Sequence, residues 1–99
     1  MIVIHVRVKV KRTADKDFEQ VLREVVAEAR RTTGCQQYEW YRHPDNAQDY
    51  AILGEYDGKE NFVNYLNSAV VKRIESELIP LLDAPPEFKH YEATIFESN

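Results

Sequence analysis

Residues 2–10 read Ile-Val-Ile-His-Val-Arg-Val-Lys-Val, and their alternation decides how the rest of the chain must be arranged. Successive side chains of a strand point to opposite faces. Ile2, Ile4, Val6, Val8 and Val10 therefore make one wholly apolar face, and Val3, His5, Arg7 and Lys9 make the other. A strand apolar on one face needs a layer packed on that face. The next residues supply it, because Phe18, Val21, Leu22, Val25, Val26 and Ala29 recur at three- and four-residue spacing and form a single helical stripe. Thr13 is placed to cap this helix, with Asp15 and Asp17 in its first turn near the positive end of the helix dipole. Gly34, just past Arg30 and Arg31, closes it.

Two aromatic-rich strands follow, over about 36–43 and 49–56, joined by a Pro-Asp-Asn turn at 44–46 and expected to pair as a hairpin. Asp57 is positioned to cap a short helix holding Phe62, Tyr65 and Leu66. Asn67 or Ser68 restarts a second helical run in which Val71, Ile74, Leu78 and Leu81 share a face, and Pro85 and Pro86 end it. The last strand, about 88–96, places Tyr91, Ala93 and Ile95 on one face and His90, Glu92, Thr94 and Phe96 on the other. This order is that of an α+β, ferredoxin-like βαββαβ fold, a four-stranded antiparallel sheet with its helices on one face. The opposite face would carry tyrosines, Trp40, histidines or valines. Monomers rarely expose such a patch, so a homodimer is expected.

The 99 residues suffice for one hydrophobic core, and one domain over 1–99 is expected, without repeat, low-complexity tract or linker. Hydrophobic residues at 43% and charged residues at 30% place the chain in the ordinary globular class. A net charge of −4 and a pI near 5.3 argue against a nucleic-acid partner. The basic cluster Lys9, Lys11, Arg12 and Lys16 reads as a solvated strand-to-helix corner. His5, Arg7 and Lys9 interrupt the opening apolar run, so neither a signal peptide nor a membrane span is expected. The single cysteine, Cys35, fits a reducing compartment, and the expected location is cytoplasmic.

With these elements laid out, the chain resembles the antibiotic biosynthesis monooxygenase (ABM) superfamily of dimeric α+β barrels over almost its whole length. The likeness rests on the opening strand 2–10, on Glu28-Ala29-Arg30 running to Gly34-Cys35-Gln36-Gln37-Tyr38, on Ile52-Leu53-Gly54-Glu55-Tyr56, and on Phe62-Val63-Asn64-Tyr65-Leu66-Asn67-Ser68. The resemblance implies two sheets facing each other in a homodimer. It also implies one of several activities: cofactor-independent oxygenation of quinols or polycyclic aromatics, haem degradation, isomerisation of small oxo-compounds, or none assigned. Many members carry Trp at the end of the third strand and His on the following helix, where this chain has Tyr56 and Tyr65. Haem-degrading relatives place a histidine ligand where this chain has Glu75 and an amide where it has Val6, which argues against haem.

The resemblance thus points to a small aromatic or quinol-type substrate oxidised without metal, flavin or other cofactor in a cleft between sheet and helices. Tyr56 and Tyr65 are its candidate catalytic residues, orienting substrate oxygens, with Val6, Phe62 and Leu66 excluding water. His5 and Trp40 are further candidate binding residues. The blander readings make Tyr56 and Tyr65 cleft-wall aromatics, His5 and Trp40 dimer-interface residues, His43 a solvated loop residue and Cys35 a small buried hydrophobe whose thiol pKa the C-terminal end of the first helix would raise. His90 shares a face with Glu92, so a carboxylate–imidazole pair is open. The histidines lie on different elements without ligand spacing, so no metal set emerges. The rival functions are a non-catalytic small-molecule-binding dimer and a cofactor-free isomerase of a small oxygenated metabolite, with His5 or His90 moving a proton.

Overall fold

The alternation of residues 2–10 becomes strand β1 (Ile2–Lys9), whose even-numbered residues are buried while Arg7 and Lys9 are exposed. The computed structural model describes residues 1–97. Helix α1 (Asp15–Arg30) follows, burying Phe18, Leu22, Val25, Val26 and Ala29 on one side. Strands β2 (Cys35–Arg42) and β3 (Asp49–Tyr56) form the hairpin, and helix α2 (Lys59–Leu66) leads into helix α3 (Ala69–Arg73). A π turn over Ile74–Leu78, a 3-10 turn over Ile79–Leu81 and strand β4 (Glu87–Glu92) complete the order.

The sheet is antiparallel throughout, in the order β2-β3-β1-β4. Val6 pairs with Ile52 on one side and Phe88 on the other, and Ile4 pairs with Gly54 and His90. Residues paired across strands share a face. The helix side of the sheet is thereby built from Ile2, Ile4, Val6, Val8, Tyr50, Ile52, Tyr56 and Tyr38, all buried against α1, α2 and the turns.

Four local expectations are corrected. Residues 11–14 close a turn, with the Ala14 N–H donating to Lys11 O at 3.0 Å. This moves the cap to Ala14 and leaves Thr13 one residue too early to serve. Gly58, not Asp57, caps α2, while the Asp57 carboxylate accepts from Asn61 Nδ2 at 3.0 Å. The second helical run is not one α-helix to the Pro85–Pro86 pair. Pro80 has no N–H and its ring collides with the carbonyl four residues back, so α geometry cannot run through it. The chain widens into the π turn, where the Ile79 N–H reaches Ile74 O, and then tightens into the 3-10 turn. The last strand ends at Glu92, not 96.

Gly34 acts slightly later than expected. Arg31 is the C-cap of α1, and Thr32 Oγ1 donates to Ala29 O at 2.6 Å. Gly34 then turns the chain into β2 with φ +82, where a Cβ would lie 2.5 Å from both Asn61 Nδ2 and Asp57 Oδ1. Positive φ and contact with α2 both forbid a side chain. Gly34→Ala should destabilise the fold by about 1–3 kcal/mol, read as a lower urea midpoint at unchanged slope; an unaltered midpoint would contradict this account of the turn.

Candidate functional site

The helical layer does not seal the sheet completely. Between them lies a cavity of about 370 Å³, a volume in the range of small-molecule sites. Its floor is the helix side of all four strands: Ile4 and Val6 from β1, Tyr38 from β2, Ile52 from β3, and Phe88 and His90 from β4. Its roof is Tyr65 and Leu66 from α2, Val71 from α3, Ile74 and Glu75 from the π turn, and Ile79. Isolated π turns recur at functional sites, and here the widened turn is part of the cavity wall.

Arg73 holds this roof in place. Its guanidinium donates to Glu28 at 2.7 Å and Glu24 at 2.8 Å on α1, and to Glu77 at 2.5 Å across the π turn. Three carboxylates on one planar fork tie the turn to α1 on the side away from the cavity.

The polar groups of the wall are few. Gly54 leaves room for the Tyr38 ring to lie across β3, since a Cβ there would stand 3.1 Å from Tyr38 Cδ2. So placed, the Tyr38 phenol meets the Tyr65 phenol at 2.6 Å. Two phenols own two O–H protons and their mutual bond uses one, so the pair keeps one donor for a ligand. Burial pushes the Tyr38 phenol well above its usual value and raises that of Tyr65. Both are therefore neutral donors, not phenolates, at neutral pH. His90 and the exposed Glu75 are the remaining polar side chains of the wall.

Of the residues expected at the site, the structure brings Val6, Tyr65 and Leu66 to the cavity. Phe62 supports them from behind, its ring 4.9 Å from His90 and 6.2 Å from Tyr65. Tyr56 does not line the cavity. It is fully buried, its ring stands 5.0 Å from Tyr65, and its phenol bonds Thr32 Oγ1 at 2.5 Å. Thr32 already donates to Ala29 O, so Tyr56 is the donor of that pair and has no proton to offer a ligand. His5 projects from the opposite face of the sheet, with Leu53 and Lys89 as its cross-strand neighbours. Trp40 is on the helix side, not the open face, but beyond the cavity's end, 6.0 Å from Tyr50 and under the Arg23 guanidinium at 5.1 Å. Glu92 pairs with Lys59 at 2.6 Å instead of His90. Cys35 is half-buried, and burial more than any other cause raises its thiol pKa.

Tyr38 was missed as a site residue because both faces of β2 carry aromatics; the signal was Gly54, a glycine inside a strand facing a tyrosine. Among the described residues no group of three or more His, Cys, Asp or Glu side chains could hold a metal ion, and no helix is long and apolar enough to cross a membrane.

A phenol whose folded pKa exceeds its unfolded value stabilises the fold fully below the unfolded value of about 10 and less as pH rises beyond it. Urea unfolding at about pH 8 and about pH 11 should show a loss of stability at the higher pH that Tyr38→Phe/Tyr65→Phe together reduce. An identical loss in the double variant would show that these phenols are not held neutral by the fold.

The family model for antibiotic biosynthesis monooxygenases matches residues 1–77. No curated protein matches the chain by sequence. Among solved structures, a conserved protein from Methanosarcina mazei Go1 superposes with a TM-score of 0.87 at 22% identity, covering 94% of this chain and 92% of that one. A crystal structure of an antibiotic biosynthesis monooxygenase does so with a TM-score of 0.87 at 13% identity, over 96% of this chain and 100% of that one. Rv0793 from Mycobacterium tuberculosis gives 0.87 at 15% identity, over 98% of each chain. At these identities the superpositions establish the α+β ferredoxin-like fold.

Proposed function

The chain belongs to the antibiotic biosynthesis monooxygenase family, and we propose that it is a monooxygenase that oxidises a small aromatic or quinol-type substrate in the cavity under the π turn. The observation that carries this reading is the apolar cavity with a single phenol donor free inside it. An electron-rich ring supplies its own electrons to dioxygen, so the protein need contribute only orientation, desolvation and a donor for the developing oxyanion, and no cofactor. Tyr65 is the donor, with Tyr38 fixing its hydroxyl. Val6 and Leu66 wall the reacting ring, with Phe62 packed behind them, and Tyr56 holds the Tyr65 ring in place from behind.

The reading extends to assembly. On the open face of the sheet, Tyr91 and Val3, then His5 and Leu53, then Ala51 and Tyr41 run as a diagonal band through successive cross-strand rows. Charged and amide residues flank it, Gln37, Glu55 and Glu39 on one side and Lys89, Arg7 and Glu87 on the other. A two-fold axis through the band would lay it on itself, making His5 an interface residue in a homodimer. The domain occupies residues 1–99 and works in the cytoplasm.

One observation favours a second reading. Tyr56, at the position where the family resemblance implies Trp in many members, is fully occupied by Thr32, which suits a dimer that binds an aromatic ligand without turnover.

Oxygen consumption against hydroquinones and naphthols, corrected for autoxidation, tests the proposal. Uptake should saturate with substrate, and Tyr65→Phe should lower kcat/KM about tenfold or more, the worth of one hydrogen bond to a developing charge. Saturable binding with no uptake would move the conclusion to the non-catalytic dimer. Sedimentation should give twice the 11.6 kDa of one chain, shifting toward the single-chain mass in Leu53→Arg. A single-chain mass for the unaltered protein at micromolar concentration would remove the dimer.

A further inference from the structure

We propose that His90 is the proton acceptor of this cavity, so that its ligands are apolar compounds bearing an ionisable phenolic or enolic hydroxyl. The inference rests on the reading of the cavity as a ligand site and does not require oxygenation. Four polar side chains line the cavity: Tyr38, Tyr65, Glu75 and His90. The two phenols are donors bonded to each other, so neither can take a proton. Glu75 on the π turn and His90 on β4 are both exposed, and of the two only His90 is packed against an aromatic ring, that of Phe62. Imidazole is the side chain suited to accept a proton near neutrality.

The placement of His90 is built, not incidental. Pairing with Ile4 sets it on the cavity side of β4. Phe62 packs against its ring edge to face, at 4.9 Å and 72°, and Phe88 flanks it at 6.4 Å. The groups that could compete are accounted for. Glu92, next on the same face, is engaged by Lys59 of α2. Lys89 and Tyr91 point to the other side of the sheet. Glu75 from the roof, Tyr65 from α2 and Tyr38 from β2 are the titratable groups sharing the cavity with it. In the step, the ligand's O–H bond breaks, the proton passes to the free ring nitrogen of His90, and the electron pair stays on the ligand oxygen, which accepts a hydrogen bond from the remaining phenol O–H. The resulting anion is the more electron-rich species, and under the oxygenase reading it is the one that reduces dioxygen.

A probe that reports its own ionisation tests this without turnover. Bound para-nitrophenol, titrated anaerobically by the absorbance of its phenolate, should ionise at lower pH than the free compound. In His90→Gln the bound midpoint should rise by about one pH unit, a tenfold change in the ionisation ratio. Tyr65→Phe should raise it too. Equal midpoints in the unaltered protein and His90→Gln, or no saturable binding of the probe, would overturn the proposal. The His90→Gln fold is checked by its urea midpoint, and His90→Asn serves as the second variant. A protein that binds and ionises the probe but consumes no oxygen fails only the oxygenase reading.

Discussion

The helix side of the sheet hangs from the register of β1. As a central strand it pairs with β3 and β4 at once, and its four inward residues, Ile2, Ile4, Val6 and Val8, set which residues of both neighbours face the helices. A slip of one residue would turn Val3, His5, Arg7 and Lys9 into the core. Burying two cations without partners costs far more than the register's alternatives could recover. The same pairing that protects the core aligns Phe88 and His90 beside Ile4 and Val6, so core stability and cavity composition come from one constraint.

Above that floor the roof is a compromise forced by Pro80. An unbroken α-helix from Ser68 would lie along the sheet as a regular ridge. The π turn bends it, and Arg73 fastens the bend to α1 through Glu24 and Glu28. Glu24 and Glu77 hold the guanidinium still more firmly protonated than usual. The anchor is partly solvated, so its value is less in stability than in direction: it decides on which side of the turn Ile74 and Glu75 stand.

Much of this was legible in the residues. The period-two run at 2–10, the aromatic-rich run at 49–56 and the apolar stripe of α1 identified three elements closely. Where both faces were mixed, pattern could not choose. β2 alternates Tyr38 and Trp40 with Glu39 and Tyr41, and the inward face became clear only from Gly54 opposite Tyr38. Pro80 was readable as a breaker but lay inside a convincing helical stripe, which hid the π turn. The cavity could not be read at all as a volume, since it depends on how far α2 and the turns stand off the sheet. Its members were partly found through the family likeness: Tyr65, Val6 and Leu66 are there, while Tyr56, one strand end away, is spent on Thr32.

The charge of the wall completes the chemical picture. No Lys or Arg lines the cavity, and its one carboxyl group is that of Glu75, which is exposed. A ligand that arrives as an anion would lose its hydration and meet a like charge, with only a neutral phenol in return. A neutral aromatic hydroxyl compound pays neither penalty on entry. Once inside, it can become an anion only if the proton stays close by, as an imidazolium beside the new charge, because an ion pair formed within the cavity keeps the site's net charge unchanged. The arrangement therefore separates binding from ionisation: apolar walls select the neutral form, and His90 with the Tyr38–Tyr65 pair generates the reactive one within them.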